Sequence, residues 1–344
     1  MTGTGRKNII MKKDRRSRHL NYIGCALVLL LLMGASACKK NIDVGTVDPN
    51  SLDRVIADNF NLSIFNAVLK YSRQDKMLQE KGPFTVLVPS DDAFSSIYPN
   101  AAGVGLADKS VLARIARYHI VDGRFELSKL PFRFNQELPS RGGKLYVTRW
   151  VKGTDTVLTI NGARVLAKNV AGSNGLIQVM NRVLTPYVHE KLGNALAAEP
   201  DITLFYQAVL SAGMLETING TGPYTILAPN NTAMQALGYA TVAQVSNTDP
   251  EVLKRLVSYH IIRDRRFVYD YILGSGGDVV IKQNMLDDNS ISVNLIADSS
   301  QPGGFSGITV KGPGNTSPIQ LSKQDILTGN GVLHIIDGVL RTGF

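Results

Sequence analysis

Gly82-Pro83-Phe84-Thr85-Val86-Leu87-Val88-Pro89 decides how this chain is read, because it returns 140 residues later as Gly222-Pro223-Tyr224-Thr225-Ile226-Leu227-Ala228-Pro229. In both places a glycine-proline turn delivers a short β-rich run. A closing proline, which has no N–H to give to a ladder, stops it. Two further matches keep the same order. Tyr118-His119-Ile120 returns as Tyr259-His260-Ile261, and Gly175-Leu176-Ile177-Gln178-Val179 returns as Gly331-Val332-Leu333-His334-Ile335. Three ordered matches mark an internal duplication. The offset grows from 141 to 156 between the last two. The second copy is therefore expected to hold an insertion of about 15 residues, placed near Gln301 to Pro318 by its Gly, Pro and Ser content.

Outward from these anchors each copy reads alike. Leu62, Phe65, Ala67, Val68 and Leu69, and in the second copy Leu204, Phe205, Ala208, Val209 and Leu210, fall at helical spacing. Ser90 and Asn230 are suited to cap the helix after the β-rich run. A further helix covers Val111 to His119, or Val252 to His260. The last third turns to β signals. Leu145, Val147, Val157, Leu158 and Ile160 flank a Thr154-Asp155 turn, and Asn161-Gly162 is a hairpin signal before Arg164 to Val170. A closing strand follows glycine, Leu176 to Leu184 or Val332 to Leu340. Helices first and strands later predict an α+β fold for each copy. The predicted layout is 1–37 signal peptide, 38–50 lipidated cysteine and tether, 51–187 first domain, 188–199 linker with a helix-like piece from His189 to Ala198, and 200–344 second domain.

The Gly-Pro-aromatic-Thr-aliphatic-Leu-x-Pro run, the later Tyr-His and the glycine-led closing strand together resemble the fasciclin domain. The resemblance covers about 51–187 and 200–342. Ser90-Asp91-Asp92-Ala93-Phe94 fits the family's first motif, whereas Asn230-Asn231-Thr232-Ala233-Met234 has lost its acids and its phenylalanine. The resemblance implies a wedge of β-strands flanked by helices, and adhesion or matrix contact through repeated domains at a cell surface. It implies no catalysis.

The 344-residue chain carries a net charge of +9, but residues 1–37 hold +6 of it, through Arg6, Lys7, Lys12, Lys13, Arg15, Arg16 and Arg18 against Asp14. With no dense basic stripe interleaved with aromatics later, no nucleic-acid partner is expected. The basic region, the apolar run from Tyr22 to Met33 and the small residues before Cys38 read as a signal peptide starting at Met1 or Met11. Ala35-Ser36-Ala37-Cys38 resembles the lipobox of bacterial lipoproteins, though without the usual leucine three residues before the cysteine. That resemblance implies lipidation of Cys38; the alternative is ordinary cleavage after Ala37. Cys25 and Cys38 are the only cysteines, so a mature chain starting at Cys38 has no internal disulfide. The expected location is the cell envelope, anchored by lipid to the outer membrane on its surface or periplasmic face.

Residues able to do chemistry are few. His119 and His260 each follow a tyrosine at a helix end, where a histidine bonded to backbone serves the fold. His119, His189, His260 and His334 lack metal-ligand spacing. Asp91-Asp92 and Asp287-Asp288-Asn289 lack the alternating oxygen ligands of a calcium loop. No nucleophile elbow, phosphate loop or dinucleotide fingerprint occurs. The expectation is therefore no enzyme, metal or cofactor. By strand alternation Trp150 shares a face with Thr148 and Tyr146, opposite Leu145, Val147 and Val151. Tyr146 and Trp150 form one candidate contact patch, and Phe132, Arg133 and Phe134 a second. The leading functional expectation is binding of a protein or polysaccharide partner in adhesion. The alternatives are an accessory role in glycan capture beside an outer-membrane transporter, and a hydrolase with dispersed carboxylates.

Overall fold

Both copies of the opening run become inner strands of a sheet. A computed structural model describes residues 1–3, 48–301 and 304–343. The first domain runs α1 (Leu52–Ala57), α2 (Ser63–Tyr71), β1 (Phe84–Pro89), α3 (Asp91–Phe94), α4 (Lys109–Tyr118), β2 (Ile120–Asp122), β3 (Arg133–Ser140), β4 (Gly143–Lys152), β5 (Asp155–Ile160), β6 (Ala163–Gly172) and β7 (Gly175–Met180). The second runs α5 (Leu192–Ala198), α6 (Thr203–Ser211), α7 (Leu215–Ile218), β8 (Tyr224–Pro229), α8 (Asn231–Ala236), α9 (Val242–Ser246), α10 (Pro250–Ser258), β9 (Ile261–Ile262), α11 (Val268–Gly274), β10 (Val280–Asn284), β11 (Ser290–Ala297), β12 (Phe305–Lys311), β13 (Ile319–Thr328) and β14 (Gly331–Ile336).

Each domain holds one seven-stranded sheet of the same topology. β1 pairs parallel with β7 and antiparallel with β2, and the remaining strands form an antiparallel meander; β8, β14 and β9 repeat the arrangement. The fold is thus the expected α+β. β1 is buried at every residue because both of its faces are covered. Val86 and Val88 face the helices, packing with Phe65, Leu112 and Ala116. Leu87 faces the interior of the curled sheet, packing with Tyr118, Leu145, Val147 and Leu158. The glycines that open these runs are held at φ +65 at Gly82 and +61 at Gly222, where a Cβ would come within 2.4 Å of the Asn174 carbonyl oxygen and 2.5 Å of that of Asn330. No side chain fits there, which is why the motif begins with glycine.

Small polar residues repeat as well. Ser90 and Asn230 cap α3 and α8 as expected. Asn231 also does the work of Asp91, despite its lost charge: each carboxylate or amide oxygen accepts the backbone N–H of Ile64 or Leu204 and a neighbouring hydroxyl. Buried Asn174 accepts from the Leu52 N–H and donates to the carbonyls of Leu78 and Glu80; Asn330 makes the same three bonds to Leu192, Ile218 and Gly220.

Two boundaries differ from the sequence reading. The stretch expected as a linker supplies α5, whose Leu192, Ala195 and Leu196 sit in the second core, as Leu52 and Ile56 of α1 sit in the first. The extra length of the second copy is not one loop at 301–318. Part of it is α11, which stands where the first copy has only a short 3-10 turn at Leu127–Lys129; the rest lies in the turns on either side of β12. Cys38, the signal segment and most of the tether lie outside the described residues. Asp48 to Phe344 forms one compact unit.

Candidate ligand groove at the domain seam

α11 sits against the sheet of the first domain. Phe267, just before it, is fully buried with Tyr146, Leu327 and Val332 in a small core shared by both domains. Gly162, in the Asn161-Gly162 hairpin with φ +49 and +75, lets Phe267 approach: a Cβ there would lie 2.8 Å from the Phe267 Cβ. Polar bonds surround this apolar contact. Asp270 is completely buried and accepts from the Phe267 N–H, Asn135 Nδ2 and Thr148 Oγ1. Burial pushes its carboxyl up to about 6, against the pull of those donors. Arg182 donates to Asp325, which also accepts the Val268 N–H at the start of α11. Lys152 reaches Ser275 and the Gly276 carbonyl.

The alternation expected for β4 holds for Leu145 and Val147, which enter the first core, and for Tyr146 and Thr148, which turn the other way. That other face is not free surface. Tyr146 is 4% exposed, with the Arg265 guanidinium 3.6 Å from its ring centre. As an external contact residue Tyr146 is therefore corrected: it glues the two domains, because Arg265, Phe267, Leu327 and Val332 of the second domain cover the inner half of the patch.

The outer half stays open and meets the second candidate patch. Trp150 is half-buried, its ring 4.6 Å from that of Phe134. Phe132 lies under the Arg149 guanidinium, 3.9 Å from ring centre. Phe132, Arg133, Phe134, Asn135, Glu137 and Trp150 from the first domain, with Pro223, Asp264, Arg265 and Arg266 from the second, line one groove of about 660 Å³. β3 makes this possible by a bulge. Its register against β4 shifts between Arg133 and Gln136, and Asn135 takes φ +51, which asparagine tolerates. The bulge sends Asn135 Nδ2 across the seam to the Arg265 carbonyl.

The groove's electrostatics are uneven. Its carboxylates are already engaged, Glu137 with Lys144 and Asp264 with Arg266. Arg265 is 6% exposed, donates to the Gly329 carbonyl and pairs with no carboxylate among the described residues. The Nε atoms of Arg149, Arg265 and Arg266 and the Asn135 Oδ1 are buried without a hydrogen-bond partner. Buried polar atoms of this kind are rare in a finished interior. Sequence reading found the aromatic residues and Arg133; it missed Arg265 and Arg266, whose only signal was three bases within four residues at Arg263-Asp264-Arg265-Arg266.

His119 and His260 stand elsewhere, inside the two domains. Each is fully buried; Nδ1 donates to the carbonyl four residues back, Ile115 or Leu256, and Nε2 accepts the backbone N–H of Leu184 or Leu340. Nε2 is thus an acceptor and the ring is neutral, and burial lowers both histidines to about 4. They tie the helix end to the segment after the closing strand. No group of three or more potential metal ligands occurs among the described residues.

The fasciclin domain model matches residues 60–186 and 200–342. Human periostin is 27% identical over 277 residues, covering 79% of this chain and 30% of periostin. Pig transforming growth factor-beta-induced protein ig-h3 is 24% identical over 264 residues, covering 76% of this chain and 35% of that protein. The chain thus spans about a third of the length of these relatives. A solved FAS1 domain pair from the insect cell adhesion molecule fasciclin I aligns with a TM-score of 0.40 at 19% identity, over 83% of this chain and 98% of that one. Fasciclin domains are implicated in cell adhesion and binding. With the repeated strand, caps and histidines all in place twice over, this chain belongs to the fasciclin domain family.

Proposed function

We propose that this chain is a non-catalytic binding protein of the cell envelope. It is held to the outer membrane through lipid on Cys38 and engages a protein or polysaccharide partner in adhesion through the seam groove. One observation carries the reading: the groove is open, built by both domains, and combines Phe132, Phe134 and Trp150 with arginines whose hydrogen bonds are incomplete. Such a mix of flat apolar surface and a few unspent polar groups suits ligand recognition. Hydrolysis is disfavoured there, since Glu137 and Asp264 are ion-paired and Asp270 is sealed from solvent.

Adhesion of whole cells displaying the native chain or the Phe132→Ala, Phe134→Ala double variant tests this. Equal display with adhesion reduced severalfold in the variant is the expected result. Adhesion unchanged in the variant overturns the groove as the contact surface, and appearance of a cleaved ligand in the medium overturns the non-catalytic reading.

A further inference from the structure

We infer that the seam groove binds a carboxylated sugar ring of an acidic polysaccharide, an inference that deepens the proposed binding role and depends on it. With Glu137 and Asp264 neutralised, Arg133 and Arg265 remain without a carboxylate partner among the described residues, so the groove carries surplus positive charge. Arg265 is the telling member. It is more than nine-tenths buried, lines the groove, and its Nε–H has no acceptor. Its aromatic neighbour Tyr146 offers a ring face but no full negative charge. A buried guanidinium in this state is stabilised by an incoming carboxylate, which matches its planar donors.

The remaining unspent groups narrow the class. Asn135 brings an amide to the groove wall, and Arg133 and Arg265 bring guanidinium groups. A sugar acid offers hydroxyls for the first and a carboxylate for the second from one ring. Its C–H face suits the Trp150 and Phe134 rings, whose pairing leaves a broad apolar wall. An acidic peptide would supply carboxylates and backbone N–H donors but no flat apolar face to lie on the Trp150 and Phe134 rings.

Trp150 is the only tryptophan in the chain, so intrinsic fluorescence reports on the groove directly. The purified full chain is titrated with oligogalacturonate, with a neutral oligogalactan of equal length, and with poly-glutamate. A saturable change with oligogalacturonate is expected, weakened by added salt, with Kd raised about tenfold or more in Arg265→Gln and by a smaller factor in the exposed Arg133→Gln. Should Arg265→Gln fail to fold, Arg133→Gln and the salt series still decide the matter. An equal response to poly-glutamate overturns the sugar in favour of an acidic peptide. An equal response to neutral galactan, or Kd values untouched by both arginine variants, overturns the carboxylate contact. Silence with all three probes overturns the inference; the binding role falls with it only if the Phe132→Ala, Phe134→Ala variant also adheres normally.

Discussion

At the scale of single residues, the paired histidines give the domains a shared response to acid. His119 and His260 are neutral in the folded chain, lowered to about 4, against an ordinary value of 6.5. Between those values the unfolded chain binds protons that the folded chain refuses. Stability is therefore full above about pH 6.5 and falls as the pH drops toward 4, by about 3 kcal/mol for each histidine. His334, also lowered by burial, adds in the same sense. Asp270 acts oppositely: its raised carboxyl favours the fold below the ordinary 3.8 and loses that contribution as pH rises through about 6. Three histidines against one carboxyl leave net acid destabilisation. Denaturant melts at pH 7 and pH 4.5 should show a lower midpoint in acid, and His119→Gln with His260→Gln should flatten the difference; an undiminished acid loss in the double variant would contradict this assignment. The histidines' place at a helix end was legible in the sequence, since Tyr-His follows an apolar helix twice. Their partners were not, because Leu184 and Leu340 lie 65 and 80 residues away.

At the scale of elements, β1 is the member on which each sheet and both layers of its core converge. Leu87→Ala should lower stability by about 2–5 kcal/mol, read from the denaturant midpoint, because its side chain has no exposure and the curled sheet around it cannot collapse freely. An unchanged midpoint would mean the strand is not seated as described. Strands β1, β4, β5, β6 and β7 could be read from alternation and turn chemistry, and so could helices α2 and α4. α11 could not. Val268, Tyr271 and Ile272 form an apolar stripe that enters the second domain's own core, and nothing local says that Phe267 and Asp270 beside them meet the neighbouring domain. For the same reason the Gly, Pro and Ser of the 301–318 region attracted the whole insertion, although a helix had absorbed part of it.

At the scale of the whole molecule, the seam makes two domains behave as one. Phe267, Tyr146 and the buried Asp270 network join them through apolar contact and fully engaged donors. Scanning calorimetry of the native chain is expected to give one cooperative transition. Phe267→Ala, which opens a cavity at the shared core, is expected to split it in two. Two resolved transitions in the native chain would show that the domains melt independently. The candidate patch was half legible: alternation put Tyr146 and Trp150 on one face, but only the tertiary arrangement shows that Phe267, Leu327 and Val332 bury the first and leave the second open.

The bulge at Asn135 and the helix α11 have a joint consequence for valency. Although the chain was doubled, the groove was not, since each domain contributes a different half of its wall. By strand register the second copy places Ile296, facing Gly307, where the first places Trp150, facing Val157. The two described domains therefore build this groove once between them. In the proposed binding role, avidity would come from many copies displayed together, so attachment to a polymeric partner would rise steeply with their surface density.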